Sequence, residues 1–270
     1  MQSTGDWISE PGNTGEKMTG KSAGGSFVKS VKELWHALLL IVPITFGWIW
    51  FLIRNINLPK EKKAELFWHM NAKNMDTFAE NEGLKKFEAD RNKKLEKYLP
   101  GSDRILDYGC GTGTLALIFA GRAKEIHGID FASGMIEAAQ RKAAESGVDN
   151  VHFMQATIFD ERLEKGSYDA TLAWGILHLV DDRKLVVKRV NELLKPGGLL
   201  ISATECMGER KTPITSLLSF LVKIGIFPIS LKYFTVAELE ESITGAGFQI
   251  VQKEIMGDNP VSCFIAAKKA

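Results

Sequence analysis

The sequence feature that most constrains the fold is a glycine-rich stretch that follows a short apolar run. Residues 105–113 read I-L-D-Y-G-C-G-T-G, with glycines at positions 109, 111 and 113. Glycine allows backbone conformations that other side chains forbid, and it lets a ligand lie directly against the main chain. Because polar residues at 102–104 precede the apolar pair Ile105 and Leu106, the stretch is typical of a strand that turns into a helix beside a ligand.

Two carboxylates accompany this turn. Asp107 stands at the end of the first predicted strand, where it can accept hydrogen bonds from an ammonium group. Asp130 ends a second predicted strand, residues 126–130, and lies 17 residues beyond Gly113. In a doubly wound sheet, an acid at that place can bind both hydroxyls of a ribose. The pair therefore indicates a ligand that carries a ribose.

From residue 104 onward, strand and helix signals alternate. Such alternation predicts a parallel sheet covered by helices on both faces. Two further helices are predicted in the charged stretch 54–104. Predicted strands cover 126–130, 151–154, 168–173, 198–203, 248–255 and 261–267, and predicted helices cover 114–122, 133–146, 183–194 and 236–246.

These residues resemble the class I S-adenosylmethionine-dependent methyltransferases, whose first motif looks like D-x-G-C-G-T-G. The resemblance implies an α/β fold with a doubly wound, mostly parallel seven-stranded sheet over residues 54–270, closed by an antiparallel strand pair, and S-adenosylmethionine as cofactor. A nicotinamide dinucleotide site is the rival interpretation. Its G-x-G-x-x-G register places Thr114 or Ala116 at the third glycine; because some dinucleotide sites accept alanine there, the rival is weakened and not excluded.

The resemblance also implies roles for individual residues. The backbone at Gly109, Cys110 and Gly111 would border the methionine part of the cofactor, with Asp107 near its ammonium group and Asp130 on the ribose. After the third strand, Thr157 stands where relatives often have an acid, and the backbone of Ile158 could serve instead. The predicted cofactor-binding residues are Asp107, Gly109, Cys110, Gly111, Gly113, Asp130, Phe131, Met135, Thr157, Ile158 and Trp174.

The segment 174–178, W-G-I-L-H, looks like the part of the family that lies beside the transferred methyl group. His178 is the candidate general base there, since imidazole titrates near neutral pH. The alternative is a structural histidine at a helix start. The segment lacks the N/D-P-P-Y pattern of amino-directed DNA methyltransferases, and 34 basic against 33 acidic residues attract no polyanion, so nucleic acid is not expected as a partner.

Three widely spaced cysteines, Cys110, Cys206 and Cys263, show no metal-ligand spacing and fit a reducing compartment. No metal is expected. Cys110 is interpreted as a small filler within the glycine turn. Upstream, residues 67–76 look like the N-terminal helix of many family members, W-x-x-x-A-x-x-Y-D, with Met75 in place of the tyrosine.

The N-terminal part has a different character. Residues 1–33 are predicted to be a disordered tail, because this part of the chain is rich in Gly, Ser, Thr and Lys. Residues 34–53 contain no Asp, Glu, Lys or Arg and have tryptophans near both ends, which predicts a transmembrane or membrane-anchoring helix. An apolar cap helix on the domain, a shallow hairpin bent at Pro43 and Gly47, and a signal peptide are the alternatives. A domain that uses S-adenosylmethionine is expected to face the cytoplasm.

A second apolar stretch is an insertion at 212–232, which carries a single charge, Lys223, between residues 216 and 231. It could cover the acceptor site, pack as a helix, or rest on a membrane.

Together these features predict a membrane-associated methyltransferase, single-pass or monotopic, acting on a small, lipophilic acceptor such as a quinone-like phenol, a lipid headgroup or a thiol. The alternative function is a membrane-tethered, non-catalytic assembly protein with the same fold.

Overall fold

The computed structural model describes residues 57–78, 82–99, 104–210, 212–258 and 261–270. The predicted tail at 1–33 and the predicted apolar helix at 34–53 lie outside these residues. Within the ranges just given, no helix has both the length and the apolar character needed to cross a bilayer.

One mixed sheet of seven strands organises the domain, with the order β3-β2-β1-β4-β5-β7-β6. Strands β1 to β5 are parallel, and β7 pairs antiparallel to both β5 and β6. The predicted seven-stranded, doubly wound sheet is therefore confirmed. The strands are β1 (Arg104–Tyr108), β2 (Glu125–Asp130), β3 (Val151–Gln155), β4 (Tyr168–Trp174), β5 (Leu194–Glu205), β6 (Phe248–Asp258) and β7 (Val261–Lys269).

Helices cover both faces of the sheet. They are α1 (Lys60–Phe78), α2 (Glu82–Tyr98), α3 (Thr114–Phe119), α4 (Ser133–Ser146), α5 (Arg183–Leu193), α6 (Pro213–Lys223) and α7 (Val236–Thr244). A 3₁₀ turn, Ala120–Arg122, completes the predicted helix 114–122. Strand β5 begins earlier than the predicted 198–203, because the register against β4 shifts and the Lys-Pro-Gly turn is absorbed as an irregularity within the strand.

Alternation along β1 explains why the sheet has two apolar cores. Side chains of successive strand residues point to opposite faces. Ile105 packs with buried residues of α2, α3 and α4, whereas Leu106 packs with buried residues of α5 and α7. Asp107 follows in this alternation on the Ile105 side, which places a carboxylate at the end of the face that α2 covers.

The insertion at 212–232 contains one well-formed helix, α6. Thr212 caps its start by accepting a hydrogen bond from the Thr215 N–H. The break expected from Gly225, whose φ is 79°, falls two residues after the helix ends. The insertion is therefore interrupted where the sequence indicates, because Gly225 and Pro228 lie among the non-helical residues that follow α6.

Candidate functional site

The glycine turn after β1 is held tightly at its two ends and is open in the middle. Gly109 and Cys110 both donate backbone hydrogen bonds to the Ile129 carbonyl, at 2.9 and 3.0 Å. A Cβ on Gly109 would come within 2.9 Å of Ile176, and one on Gly113 within 2.5 Å of Phe153. A Cβ on Gly111 would meet nothing within 4 Å. The turn therefore leaves bare main chain at Gly111, as a close-lying ligand requires.

Asp130 ties this turn to the start of α4. One carboxylate oxygen accepts a hydrogen bond from the Gly111 N–H at 3.1 Å, and the other accepts one from the Ala132 N–H at 2.9 Å. Burial raises the pKa of the Asp130 carboxyl, while the N–H groups of Ala132, Gly111 and Phe131 act in the opposite direction. The carboxylate is thus preorganised at the carboxyl end of β2, where the prediction places the ribose.

Asp107 is a buried acid, and one of its carboxylate oxygens lacks a hydrogen-bond partner among the described residues. Its side chain is 2% exposed, and its Oδ2 atom accepts no hydrogen bond from the described residues. Burial raises its pKa to about 7; the charge of Arg91 acts against this rise and that of Asp130 adds to it. An ammonium group would satisfy Oδ2.

Arg91, on α2, complements Asp107. It is 8% exposed, its guanidinium carbon lies 5.9 Å from the Trp174 ring centroid, and its Nη2 atom has no hydrogen-bond partner in the described part of the chain. The Arg91 Nε atom donates to Asn92 and Nη1 lies 3.7 Å from Glu88, so only Nη2 is left over. One unsatisfied atom on each of two buried, electrostatically coupled side chains fits the zwitterionic end of an amino acid. The residues present therefore fit the methionine part of S-adenosylmethionine.

The predicted adenine side is covered by α1. Met135 is 2% exposed and packs with Ala132 beneath Ala72 and Trp68 of α1. The Ser133 hydroxyl donates to Glu65, at 3.2 Å, and lies 3.1 Å from the His69 Nδ1 atom. The N-terminal helix thus packs over the start of α4.

The remaining predicted residues of this side lie at the ends of β2 and β3. The Ala156 N–H donates to the Asp130 carbonyl at 3.0 Å, which brings the two strand ends together. Phe131 is half-buried and Thr157 is exposed, whereas the Ile158 side chain is fully buried in the core. Ile158 is buried as a whole residue, so its predicted backbone contact with a ligand stays a prediction.

The segment after β4 lies against the glycine turn, because Ile176 packs on Gly109. Its His178 is 9% exposed, and the Nδ1 atom lies 2.8 Å from the Glu205 Oε2 atom. The two atoms are not aligned for a linear hydrogen bond, so the contact is an ion pair when the ring is protonated. Trp174 lies between Arg91 and Phe264.

Cys110 fills space within the turn, as predicted. It is 8% exposed, and burial raises the pKa of its thiol well above the ordinary value, which keeps it protonated and unreactive. The described residues include no group of three or more His, Cys, Asp or Glu side chains placed to bind a metal ion.

The sequence analysis missed two of these residues. Arg91 lies in the run E-A-D-R-N-K-K of a charged helix, where it looks like part of a solvated face. Glu205 carried a usable signal, since it directly follows the apolar strand 198–203, much as Asp107 and Asp130 end theirs.

Comparisons with known proteins agree with this geometry. A family profile described as "Methyltransferase domain" matches residues 101–244, more than half of the 270 residues. A ubiquinone biosynthesis O-methyltransferase from Azorhizobium caulinodans is 30% identical over 184 residues, covering 62% of this chain and 72% of the relative. A demethylmenaquinone methyltransferase from Clavibacter sepedonicus is 35% identical over 100 residues, covering 37% of this chain and 40% of the relative.

A solved structure shares the fold. Geranyl diphosphate C-methyltransferase from Streptomyces coelicolor A3(2), in complex with Mg²⁺, geranyl diphosphate and S-adenosyl-L-homocysteine, superposes with a TM-score of 0.59 at 15% identity, covering 69% of this chain and 81% of that one. At this identity the likeness concerns the fold alone. The chain spans as little as 23% of the length of some curated relatives it matches.

Proposed function

The chain belongs to the S-adenosylmethionine-dependent methyltransferases, and from this premise we propose that it methylates a small, lipophilic acceptor at a membrane. Membership follows from the profile match over residues 101–244 and the aligned relatives. S-adenosylmethionine is the cofactor. The acceptor classes that we propose are a quinone-like phenol, a lipid headgroup and a thiol. We propose that nucleic acid is not a partner.

Residues of the glycine turn and its neighbours would hold the cofactor. We assign the ammonium group to Asp107 and the carboxylate to Arg91, because each has an unsatisfied buried polar atom. The ribose hydroxyls are assigned to Asp130, and the adenine to the region of Phe131, Met135 and the Ile158 backbone. When bound, the cofactor supplies a methyl group whose bond to sulfur breaks as the acceptor atom attacks.

We propose His178 as the general base. It follows β4 beside the glycine turn, through the contact of Ile176 with Gly109. As the acceptor's oxygen or sulfur forms its bond to the methyl carbon, the imidazole takes up the proton that the acceptor loses. Enclosure also matters, since a buried base and a bound acceptor together keep water from the reacting atoms.

Helix α6 is the observation that supports a lipophilic acceptor. The outward side chains Leu217 and Phe220 of α6, and Ile224 directly after it, are 49%, 56% and 51% exposed. The helix is tied to the acceptor side of the site, because the Tyr233 hydroxyl donates to the Thr215 carbonyl at 2.7 Å and the neighbouring Lys232 N–H donates to the His178 carbonyl at 2.9 Å. The relatives named for ubiquinone and menaquinone compounds support the same class.

Methyl transfer from labelled S-adenosylmethionine to a membrane lipid extract tests this function. We expect label in the organic phase, and about 100-fold less with His178→Gln at unchanged cofactor affinity, the size typical of losing a general base. Asp149→Asn, at an exposed position of the α4–β3 connection, serves as the control. Tight cofactor binding without any lipid-soluble product would refute the proposal.

We further propose that residues 34–53 anchor the chain, with the catalytic domain on the cytoplasmic side, and that α6 rests on the bilayer surface. An exposed apolar stripe on a helix is the form that interfacial helices take, and Lys223 at its end suits anionic headgroups. This placement would deliver a lipid-soluble acceptor to the His178 side of the sheet.

A fluorophore attached through Phe220→Cys tests the position of α6, because the three native cysteines are buried. In phosphatidylcholine–phosphatidylglycerol vesicles that contain spin-labelled lipid, we expect quenching at position 220. The control is the fluorophore at Leu185→Cys, an exposed position on α5. Equal quenching at both positions, or none at 220 while the protein sediments with the vesicles, would contradict the proposal.

A further inference from the structure

We propose that Glu205 is the positioning residue for the base His178, orienting the ring and stabilising the positive charge that it gains. The inference rests on the proposed function, and it adds a residue from a different strand to the reaction. The two side chains form a dyad that spans the carboxyl ends of β4 and β5.

Backbone contacts hold the two residues of the dyad in place. Trp174 pairs with Ala203 in the sheet, and the Gly175 N–H donates to the Ala203 carbonyl at 2.9 Å. Glu205 is two residues further along β5. On the other side, the Lys232 N–H donates to the His178 carbonyl at 2.9 Å. The dyad is therefore fixed from both the sheet and the α6–α7 connection.

The geometry assigns different roles to the two ring nitrogens. Nδ1 lies 2.8 Å from the Glu205 Oε2 atom. A carboxylate oxygen at this distance repels a ring nitrogen that carries only a lone pair, so the neutral ring is favoured with its proton on Nδ1, which leaves Nε2 as the acceptor. During transfer, the acceptor's proton moves to Nε2 as the new bond to the methyl carbon forms, and the resulting imidazolium faces the carboxylate.

Charge in this neighbourhood favours the same assignment. Burial raises the pKa of the Glu205 carboxyl, but the hydrogen-bonding and charge interaction with His178 outweighs burial and leaves that pKa below its ordinary value. The next charged groups, Asp181 and Lys232, pair with each other at 2.9 Å, which limits their effect on the ring. Glu205 is thus ionised when His178 needs a counter-charge.

A purely structural ion pair is the competing explanation. The pKa of His178 tests whether the two side chains interact in solution, and the kinetics described below separate a positioning role from a structural one. We propose following the five histidines by NMR in the full chain with ¹³C-labelled imidazoles, using His178→Gln to assign the signal. Glu205→Gln should lower the pKa of His178 by about one unit or more, as loss of an adjacent opposite charge does. Glu205→Asp should retain most of the shift, and the exposed Asp181→Asn should change it by less than about half a unit.

Kinetics with catechol as the probe acceptor give the second readout. At saturating cofactor, Glu205→Gln should lower kcat about 30-fold and move the acidic limb of the pH–kcat profile to lower pH, with unchanged cofactor affinity. Glu205→Gln should add little to the defect of His178→Gln. An unchanged His178 pKa would overturn the inference even if the enzyme is active. A shifted pKa supports the dyad even where catechol is not methylated, which separates this test from that of the proposed function.

Discussion

The two halves of the sheet's carboxyl edge bury carboxylates in opposite ways. Asp107, on the cofactor half, is 2% exposed, has an oxygen without a hydrogen-bond partner among the described residues, and has its pKa raised to about 7 chiefly by burial. Glu205, on the acceptor half, lies 2.8 Å from the His178 ring and has a lowered pKa. Both acids have an oxygen without a hydrogen-bond partner among the described residues. Asp107 forms no ion pair there and feels Arg91 only through its charge, whereas Glu205 pairs with His178.

This difference indicates where each acid finds its partner. A buried carboxylate without a partner destabilises the folded chain, so it is retained where a ligand supplies the missing charge. A carboxylate that already faces a protein cation tunes that cation instead. The cofactor half is thus arranged to bind a charged ligand, whereas the acceptor half is arranged to control one histidine.

The largest effect expected from this comparison follows Asp130→Ala. The substitution removes the acceptor of the Gly111 and Ala132 N–H groups as well as the proposed ribose contact. Charge-assisted hydrogen bonds contribute about 1.5–3 kcal/mol each, so affinity for S-adenosylmethionine should fall about 100-fold. Titration calorimetry measures this affinity, with Asp149→Ala as the control. Unchanged affinity would show that the cofactor half does not bind its ligand through this carboxylate.

A matched pair of glycine substitutions separates binding from folding within the cofactor half. All the turn glycines have positive φ, but only Gly113 would bring a Cβ against Phe153, at 2.5 Å. Gly113→Ala should therefore lower the free energy of unfolding by about 3 kcal/mol, from strain and overpacking together. A Cβ at position 111 faces open space, so Gly111→Ala should lower the free energy of unfolding by only about 1–2 kcal/mol.

The same pair should rank differently in cofactor binding. Gly111→Ala places a methyl group where the ligand lies, and we expect affinity to fall about tenfold, a size typical of a modest steric loss at a binding site. Urea unfolding and calorimetry on both variants give the two rankings. Unchanged affinity of Gly111→Ala for S-adenosylmethionine would show that the cofactor does not lie against the main chain at Gly111.

The smallest effect tests the contrast between the two acids directly, through the pH dependence of stability without cofactor. The pKa of Asp107 is about 7 in the folded chain, above the ordinary value of 3.8. Its carboxyl therefore costs stability as pH rises from 4 through 7, and Asp107→Asn should gain about 1 kcal/mol relative to the native chain between pH 6 and 7.5.

Glu205→Gln should behave in the opposite way. Because the pKa of Glu205 is lowered from 4.5, its ionised form stabilises the folded chain above that pH, and the contribution is lost as pH falls through the lowered pKa. The variant should be less stable than the native chain by about 1 kcal/mol at pH 6, with a smaller deficit near pH 4. Urea unfolding at several pH values measures the free energy of unfolding of both variants. If both substitutions change it in the same direction, the proposed contrast between the two acids is wrong.

Prediction from the sequence succeeded where the signal was local. The strand and helix pattern, the glycine turn and the acids near the ends of β1 and β2 were found, because backbone conformation and strand termination depend on neighbouring residues. The insertion at 212–232 follows the same rule. Its Gly225 and Pro228 indicate a broken segment, and α6 ends at Lys223, before either of them.

The sequence by itself determined the turn at Gly109, Gly111 and Gly113, because positive φ and the absence of a Cβ are properties of single residues. Only the tertiary structure decided that Arg91 lies near Asp107 and that Glu205 faces His178. These contacts join side chains from separate elements across the sheet edge, and their positions depend on helix placement and strand order, which no local pattern encodes. The same packing decided which side of α6 remains exposed.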